Sequence, residues 1–524
     1  MLLLPLSFPI HRHLMSQFHL PAHAEFLLII PVCALAFSLF SLRRLLARKR
    51  ASVHYPPIIE IPPEDLFTRP LEAYEAALHG HGPVIGVRRK GRLEYIVDRE
   101  HTKHVFADDR TLSFEQGVAT ILNLRFVISV RGGRFFKDVD RLVSAGMIPR
   151  IESITNKIFP IFMKHATQLV ADGQKLGGVD FFTYTHHSIA ESMLTVVMGQ
   201  KYVNDVHLKI IEDMAHDIAN MTGIYSNTSF FGRTFPGLWK FMTWMRIIFG
   251  TLLYRYFFVI GPHIWRELRE STFVPLHKSE KEYDDEEPLI HFMGRMFARE
   301  DGTVSPIDVF WSACLVLSLI FASVHQTAVV AVWIVYELAA RPTYIAAIRE
   351  ELMSVAEPGP DGSLQLSYES LRNAQYLDSF IREVMRLKGD TLVTCRQTVQ
   401  DTPMGDYVIP KGHLVYPLAS LSHRSREYYG EDATVFDGFQ WVDKNQPAVM
   451  VSPAYFPFGL NRWACPGRVL AVAEIKMIVF TLLGIAQPAL EGGKYTVVDP
   501  LNATSVQPAG RLLLAPLDNS LFAL

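Results

Sequence analysis

From Val309 to Ala340 the chain runs for 32 residues with one charged side chain, Glu337, close to its end. A helix of that length reaches about 48 Å and is apolar all round, so it does not belong on the surface of a globular body. The preceding Ser305-Pro306-Ile307-Asp308 suits a helix start. Such a segment either crosses a bilayer or runs through the centre of a helical domain. His325 and Gln326 stand in its middle, and buried polar groups find partners more readily inside a protein than in lipid. A large helical domain around one central helix is therefore expected. With 49% of its 524 residues hydrophobic, the chain has enough apolar side chains for a core of that size.

The net charge of −2 supplies no global field for a polyanion, so nucleic acid is not expected as a partner. Cys33, Cys314, Cys395 and Cys465 show no CxxC spacing, which argues against a disulfide framework or structural zinc and fits a reducing compartment. Phe26 to Leu42 is uncharged, almost wholly apolar and followed by Arg43, Arg44, Arg48, Lys49 and Arg50. As a helix it covers about 26 Å, adequate for one transmembrane span, and the basic cluster keeps the following chain cytosolic. A cleaved signal peptide is the rival reading, opposed by the late start of the apolar run and the basic residues after it. The organisation expected is a short N-terminal segment (1–25), a transmembrane anchor (26–42), a basic and proline-rich neck (43–63) and a catalytic domain (64–524). The segment 241–261, interrupted by Arg246 and Arg255, reads as a helix pair dipping into the membrane interface or covering an access route; an ordinary buried helix is the alternative.

Within the body, 84–98 reads as a hairpin around Lys90-Gly91, and 138–172, 179–199, 203–223 and 368–387 read as helices. The acidic stretch 279–287 reads as a solvated loop. Later strands are short. The fold class expected is mainly α with small peripheral β-sheets.

Residues 454–467 read AYFPFGLNRWACPG and lead into a helix-like run. A thiolate at Cys465 would be stabilised by free N–H groups at that helix start, with Arg462 adding positive charge. Pro466 tolerates a first turn because it has no N–H to lose. Taken alone, the loop leaves an ordinary buried thiol as an equal alternative.

The whole pattern resembles the haem-binding loop of the cytochrome P450 family, Phe-x-x-Gly-x-Arg/His-x-Cys-x-Gly. Phe458, Cys465 and Gly467 match, whereas Asn461 replaces the middle glycine and Trp463 the usual Arg or His. Asn tolerates positive φ, so the turn is expected to survive. Upstream, Glu383 and Arg386 match the Glu-x-x-Arg motif, and their i, i+3 spacing lets them pair. Ala433, Gly438 and Gln440 stand where the family's two prolines and third arginine are usual, leaving Gln440 as a hydrogen-bond donor in the arginine's place. By resemblance, Arg396 contacts a haem propionate, with Lys137 and Arg141 as further candidates. FASVHQTA (321–328) resembles the oxygen-activating segment, with Ala322 beside the haem, Gln326 at the proton-delivering threonine, His325 at the acid and Thr327 at the second hydroxyl. Satisfied polar groups in a long helix are the plainer reading of the same residues.

The resemblance, closest in flavour to fungal microsomal members, implies haem b ligated by Cys465 and the P450 fold with an N-terminal transmembrane helix. It implies a monooxygenase of the endoplasmic reticulum membrane acting on a lipophilic metabolite such as a terpenoid. Electrons would come from NADPH-cytochrome P450 reductase, with cytochrome b5 as a second donor. Because Gln326 is a poor titrating group, two other readings stay open: reductase-independent peroxide rearrangement or isomerisation, and a haem-binding protein with weak catalysis.

Overall fold

A computed structural model describes residues 54–89, 91–122, 130–221, 230–278, 286–358, 364–392, 394–518 and 520–522. The anchor expected at 26–42 and most of the acidic stretch 279–287 lie outside the described residues. His54, Tyr55 and residues 406–408 belong to one unit and the other described residues to a second; within the first, Val408 N–H donates to His54 O at 2.9 Å.

In the large unit a six-stranded sheet is formed by β1 (Ile58–Ile59), β2 (Val84–Arg89), β3 (Arg92–Val97), β4 (Leu112–Ser113), β5 (Arg396–Thr398) and β6 (Leu414–Pro417), in the order β1-β2-β3-β6-β5-β4. The β2–β3 hairpin pairs Val84 with Val97 and Arg89 with Arg92, and Gly91 takes φ +73° to close the turn. The proline-rich neck read over 43–63 ends sooner than expected: Ile58 and Ile59 already pair with β2, and Pro63 opens a helix. Proline is tolerated there because an edge strand and a first helical turn can each spare an N–H.

The helices that place the site are α1 (Phe135–Gly146), α2 (Ile151–Leu176), α3 (Phe181–Met198), α4 (Asp205–Met221), α5 (Pro236–Arg269), α6 (Pro306–Ala340), α7 (Ile345–Val355), α8 (Gln375–Leu387) and α9 (Arg468–Ile485). A two-stranded sheet of β7 (Ala486–Leu490) and β8 (Leu512–Pro516) follows. α6 is the long central helix. Ser305 caps it by accepting from Asp308 N–H, with Pro306 in the first turn. It packs against α3, α4 and α9, and Trp311, Trp333 and most residues from Val324 to Leu338 are buried. Its length and apolarity would also suit a membrane crossing, as would those of α5. For α6 the apolar surface is covered by neighbouring helices over most of its length, Ile307 and Phe310 near its start being exposed, which is the core reading of the sequence.

Three helix boundaries differ from those expected. The helix read over 138–172 is two, because Ile148-Pro149-Arg150 forms a tight turn between α1 and α2; Pro149 cannot donate to residue 145. Arg150 fills the break, donating from Nε to Gly146 O at 2.7 Å. The helix read over 368–387 also breaks, at Ala374. Glu351 of α7 accepts from Tyr376 N–H at 2.6 Å and Leu377 N–H at 2.9 Å, so a carboxylate distant in sequence caps α8. Finally, 241–261 is not a helix pair but the middle of α5, where Ile247–Ile260 forms a wide π-helical stretch. Arg246 and Arg255 tie α5 to Asp217 and Asp213 of α4.

Candidate haem-thiolate site

Cys465 lies at the end of a loop whose shape is set by backbone. Cys465 N–H donates to Phe458 O at 2.8 Å, while Gly459 and Asn461 take φ +77° and +59°. Asn461 thus adopts the left-handed conformation that a glycine would adopt more cheaply. Gly459 is constrained further, because a Cβ there would meet Trp463 O at 3.1 Å. Gly467 has φ −84° and needs no such freedom; a Cβ on it would lie 4.0 Å from Cys465 Sγ. Phe458 is half-buried against the main core.

Cys465 is exposed, yet it sits deep enough for burial to raise its thiol pKa, against the opposing pull of the Gly467 N–H, the charge of Arg468 and the Arg468 N–H. The cation beside the sulfur is therefore Arg468, which also donates from Nη1 to Cys465 O at 2.8 Å. Arg462, assigned that role from sequence, is exposed and lies over the Trp463 ring at 5.0 Å. Arg468 is the first residue of α9 and three positions from Cys465, a spacing that could have pointed to it.

Trp463 replaces a cation with an aromatic wall. Its Nε1 donates to Asp109 at 2.8 Å, and its ring stacks on Phe114 with centroids 4.9 Å apart. Arg396 lies against Phe114 and Phe106 and is fully buried. Its Nη1 donates to Cys395 O at 3.1 Å, but Nε and Nη2 have no hydrogen-bond partner among the described residues. Burial pushes this guanidinium down to about 10. A buried cation with open N–H groups fits a carboxylate ligand, and haem b supplies two. Arg141 of α1 is exposed, as is Lys137 one turn earlier.

Glu383 and Arg386 of α8 are fully buried and paired through two hydrogen bonds, Nη2 to Oε1 at 2.7 Å and Nε to Oε2 at 2.8 Å. Arg386 Nη1 donates to the carbonyls of His423 and Ala433. The additional donors to Glu383 are Trp441 Nε1 at 3.1 Å and Asp437 N–H at 3.2 Å. Trp441 thus makes the hydrogen bond that sequence reasoning gave to its neighbour Gln440, which is half-buried. Gly438 packs so tightly that a Cβ would come within 2.6 Å of Phe380, so a proline could not be accommodated there.

On α6, Ala322 is exposed between half-buried Phe321 and Ser323, in the middle of the helix. Gln326, one turn on, donates from Nε2 to Ser505 Oγ at 3.1 Å. His325 Nε2 lies 2.9 Å from Ser505 O; a carbonyl only accepts, so Nε2 carries the proton. Thr327 is buried and stands about 140° round the helix from Ala322. Ser505 was not singled out from sequence, because its 179-residue separation from Gln326 hides the contact.

Burial pushes His325 down to about 4 and, with neighbouring positive charge, His186 and His423 to about 3. His325 is therefore neutral at pH 7 rather than titrating there. His423 Nε2 accepts from Phe456 N–H at 3.1 Å, which also requires the neutral ring. An unfolded histidine titrates near 6.5, so below that pH the unfolded chain binds protons the folded one refuses. Stability should be complete above about pH 6.5 and fall as pH drops towards the folded values, by up to roughly 4 kcal/mol per pH unit for three such groups. Urea unfolding at pH 7 and pH 5 checks this; equal midpoints would contradict it.

A cysteine at a helix mouth, with Arg468 beside it and a buried guanidinium offering open N–H groups, defines a haem-thiolate protein. The chain belongs to the cytochrome P450 family, whose sequence model matches residues 81–484; haem b held by a cysteine thiolate is that family's defining feature. Similar proteins include cytochrome P450 714A2 of Arabidopsis thaliana, 32% identical over 31% of this chain and 30% of the relative. Cytochrome P450 monooxygenase 151 of Postia placenta is 33% identical over 31% of this chain and 34% of the relative. The alignments thus span about a third of those relatives' lengths, and the relatives are plant as well as fungal, which corrects the specifically fungal resemblance. The structure of retinoic acid-bound cyanobacterial CYP120A1 superposes with a TM-score of 0.63 at 17% identity, covering 89% of this chain and 100% of the other, a likeness of fold.

Proposed function

We propose that this protein is a monooxygenase that oxidises a lipophilic metabolite with O2 and electrons from an NADPH-dependent reductase. The observation that carries the reading is the Cys465 loop, with its backbone-fixed sulfur and adjacent Arg468. When bound, the haem supplies oxygen activation, which a thiolate ligand favours by donating electron density. The chain's own residues do the rest. Arg396 would hold a propionate through its open N–H groups, with Lys137 and Arg141 as further candidate anion contacts. Gln326, held by Ser505, would orient a water on the haem side of α6, while neutral His325 fixes the neighbouring loop through its carbonyl.

A lipophilic substrate is in keeping with relatives named for abscisic acid 8'-hydroxylation and lanosterol 14-alpha demethylation; a terpenoid is the class proposed. Membrane association is supported by α5, which exposes Leu238, Phe241, Phe249, Tyr254, Phe258 and Trp265. With residues 26–42 as anchor, the body would sit on the cytosolic face of the endoplasmic reticulum, where the reductase and cytochrome b5 reach it.

The test is consumption of NADPH and O2 that requires both reductase and substrate. Turnover of a lipid hydroperoxide with neither would favour the rearrangement reading, for which the absent threonine at 326 is the motive. Gln326→Ala should leave haem content unchanged and alter product partition or uncoupling about 3- to 10-fold, the worth of about one neutral hydrogen bond. Unchanged coupling and products in that variant would remove Gln326 from the chemistry.

A further inference from the structure

Away from Cys465, α2, α3 and α4 bring a second set of metal-ligating side chains together. The ligand atoms of His165, His187 and Glu191 all lie within 4.8 Å of one another. His187 and Glu191 are four residues apart on α3 and share a face; His165 comes from α2. The two imidazole rings are 5.0 Å apart, and His165 Nε2 lies 2.7 Å from Glu191 Oε2. Glu191 is buried beneath them, whereas the His187 side chain is 38% exposed, so an ion can enter from solvent.

We propose that His165, His187 and Glu191 form a binding site for a divalent transition-metal ion of the zinc class, completed by water. Two imidazole nitrogens and one carboxylate are the donor set that borderline metals prefer over magnesium or calcium. Donors bonded to zinc at about 2.0–2.1 Å sit about 3.3 Å apart in a tetrahedron, so modest side-chain closure suffices. Glu212 of α4 takes a hydrogen bond from His187 Nδ1, which leaves the lone pair on Nε2 and holds the ring, as carboxylates behind metal-bound histidines do. Glu191 takes hydrogen bonds from His165 Nε2 and Lys164 Nζ, so metal binding displaces the His165 proton as well as the lysine. Lys164 is the competitor: its Nζ lies 2.5 and 2.6 Å from the two carboxylate oxygens. Its side chain is 58% exposed, so a metal ion displaces it into water. A bound ion would cross-link α2 to α3, both of which pack against the core around α6 and α9.

Equilibrium dialysis of the untagged, haem-loaded full chain against Zn2+, with thermal melting in parallel, tests this. One zinc ion per chain and a raised melting temperature are expected. His187→Ala and Glu191→Gln should weaken binding at least about 10-fold, and Lys164→Met should tighten it by removing the competing cation. His277→Ala, at an exposed histidine paired with Glu300 elsewhere, should change nothing. No zinc bound by the wild type, or binding that His187→Ala and Lys164→Met leave unaltered, would overturn the site. Neither readout depends on turnover.

Discussion

Replacing Cys465 with alanine is expected to abolish thiolate ligation and turnover while leaving the protein folded. The loop does not depend on the sulfur: its shape comes from the Cys465 N–H to Phe458 O bond, the positive φ of Gly459 and Asn461, and the Trp463 bond to Asp109. Alanine keeps all of these. Because Cys465 is exposed, the loss in folding stability should stay below about 1 kcal/mol. The reduced carbonyl complex reports the ligand directly: the long-wavelength band characteristic of a thiolate should vanish and product formation should fall below detection. A variant that kept that band would show that another residue holds the iron.

Glu383→Ala should have the largest effect on stability. It leaves the Arg386 guanidinium buried without its carboxylate, and it strips an acceptor from Trp441 Nε1 and Asp437 N–H. Breaking one partner of a buried pair costs about 3–5 kcal/mol. Arg386 cannot escape to water, because it is fully buried and also holds the carbonyls of His423 and Ala433. The segment 423–441 should therefore loosen, with haem retention falling alongside the unfolding midpoint. Chemical denaturation of wild type and variant measures this, and a loss under about 1 kcal/mol would mean that the pair does not brace the fold. Trp441→Phe separates the contributions: it removes one neutral donor and should cost about 1–2 kcal/mol.

These two sites also mark how far local pattern reached. The Cys465 loop could be read because its chemistry is packed into ten consecutive residues, and the Glu383–Arg386 pair because helical spacing makes i and i+3 neighbours. The third partner of that pair could not. Alignment by position put Gln440 in the arginine's place, but only the path of the loop decides which neighbouring side chain turns inward, and it is Trp441. The same limit separates Arg462 from Arg468. Both are basic residues close to Cys465, but Arg462 lies on the exposed outside of the loop, while Arg468 opens α9 and bonds the Cys465 carbonyl.

Periodicity and composition were enough to establish a helical body, its long central helix and the β2–β3 hairpin, because each follows from which side chains can leave water along a continuous segment. Folding in three dimensions settled the ends and the partners: Glu351 terminating α8 from another helix, Ser505 holding both His325 and Gln326, and burial making His325 neutral. Contacts between residues 25 to 180 positions apart leave no trace in local spacing. Desolvation likewise depends on how many neighbours the finished fold places around a group.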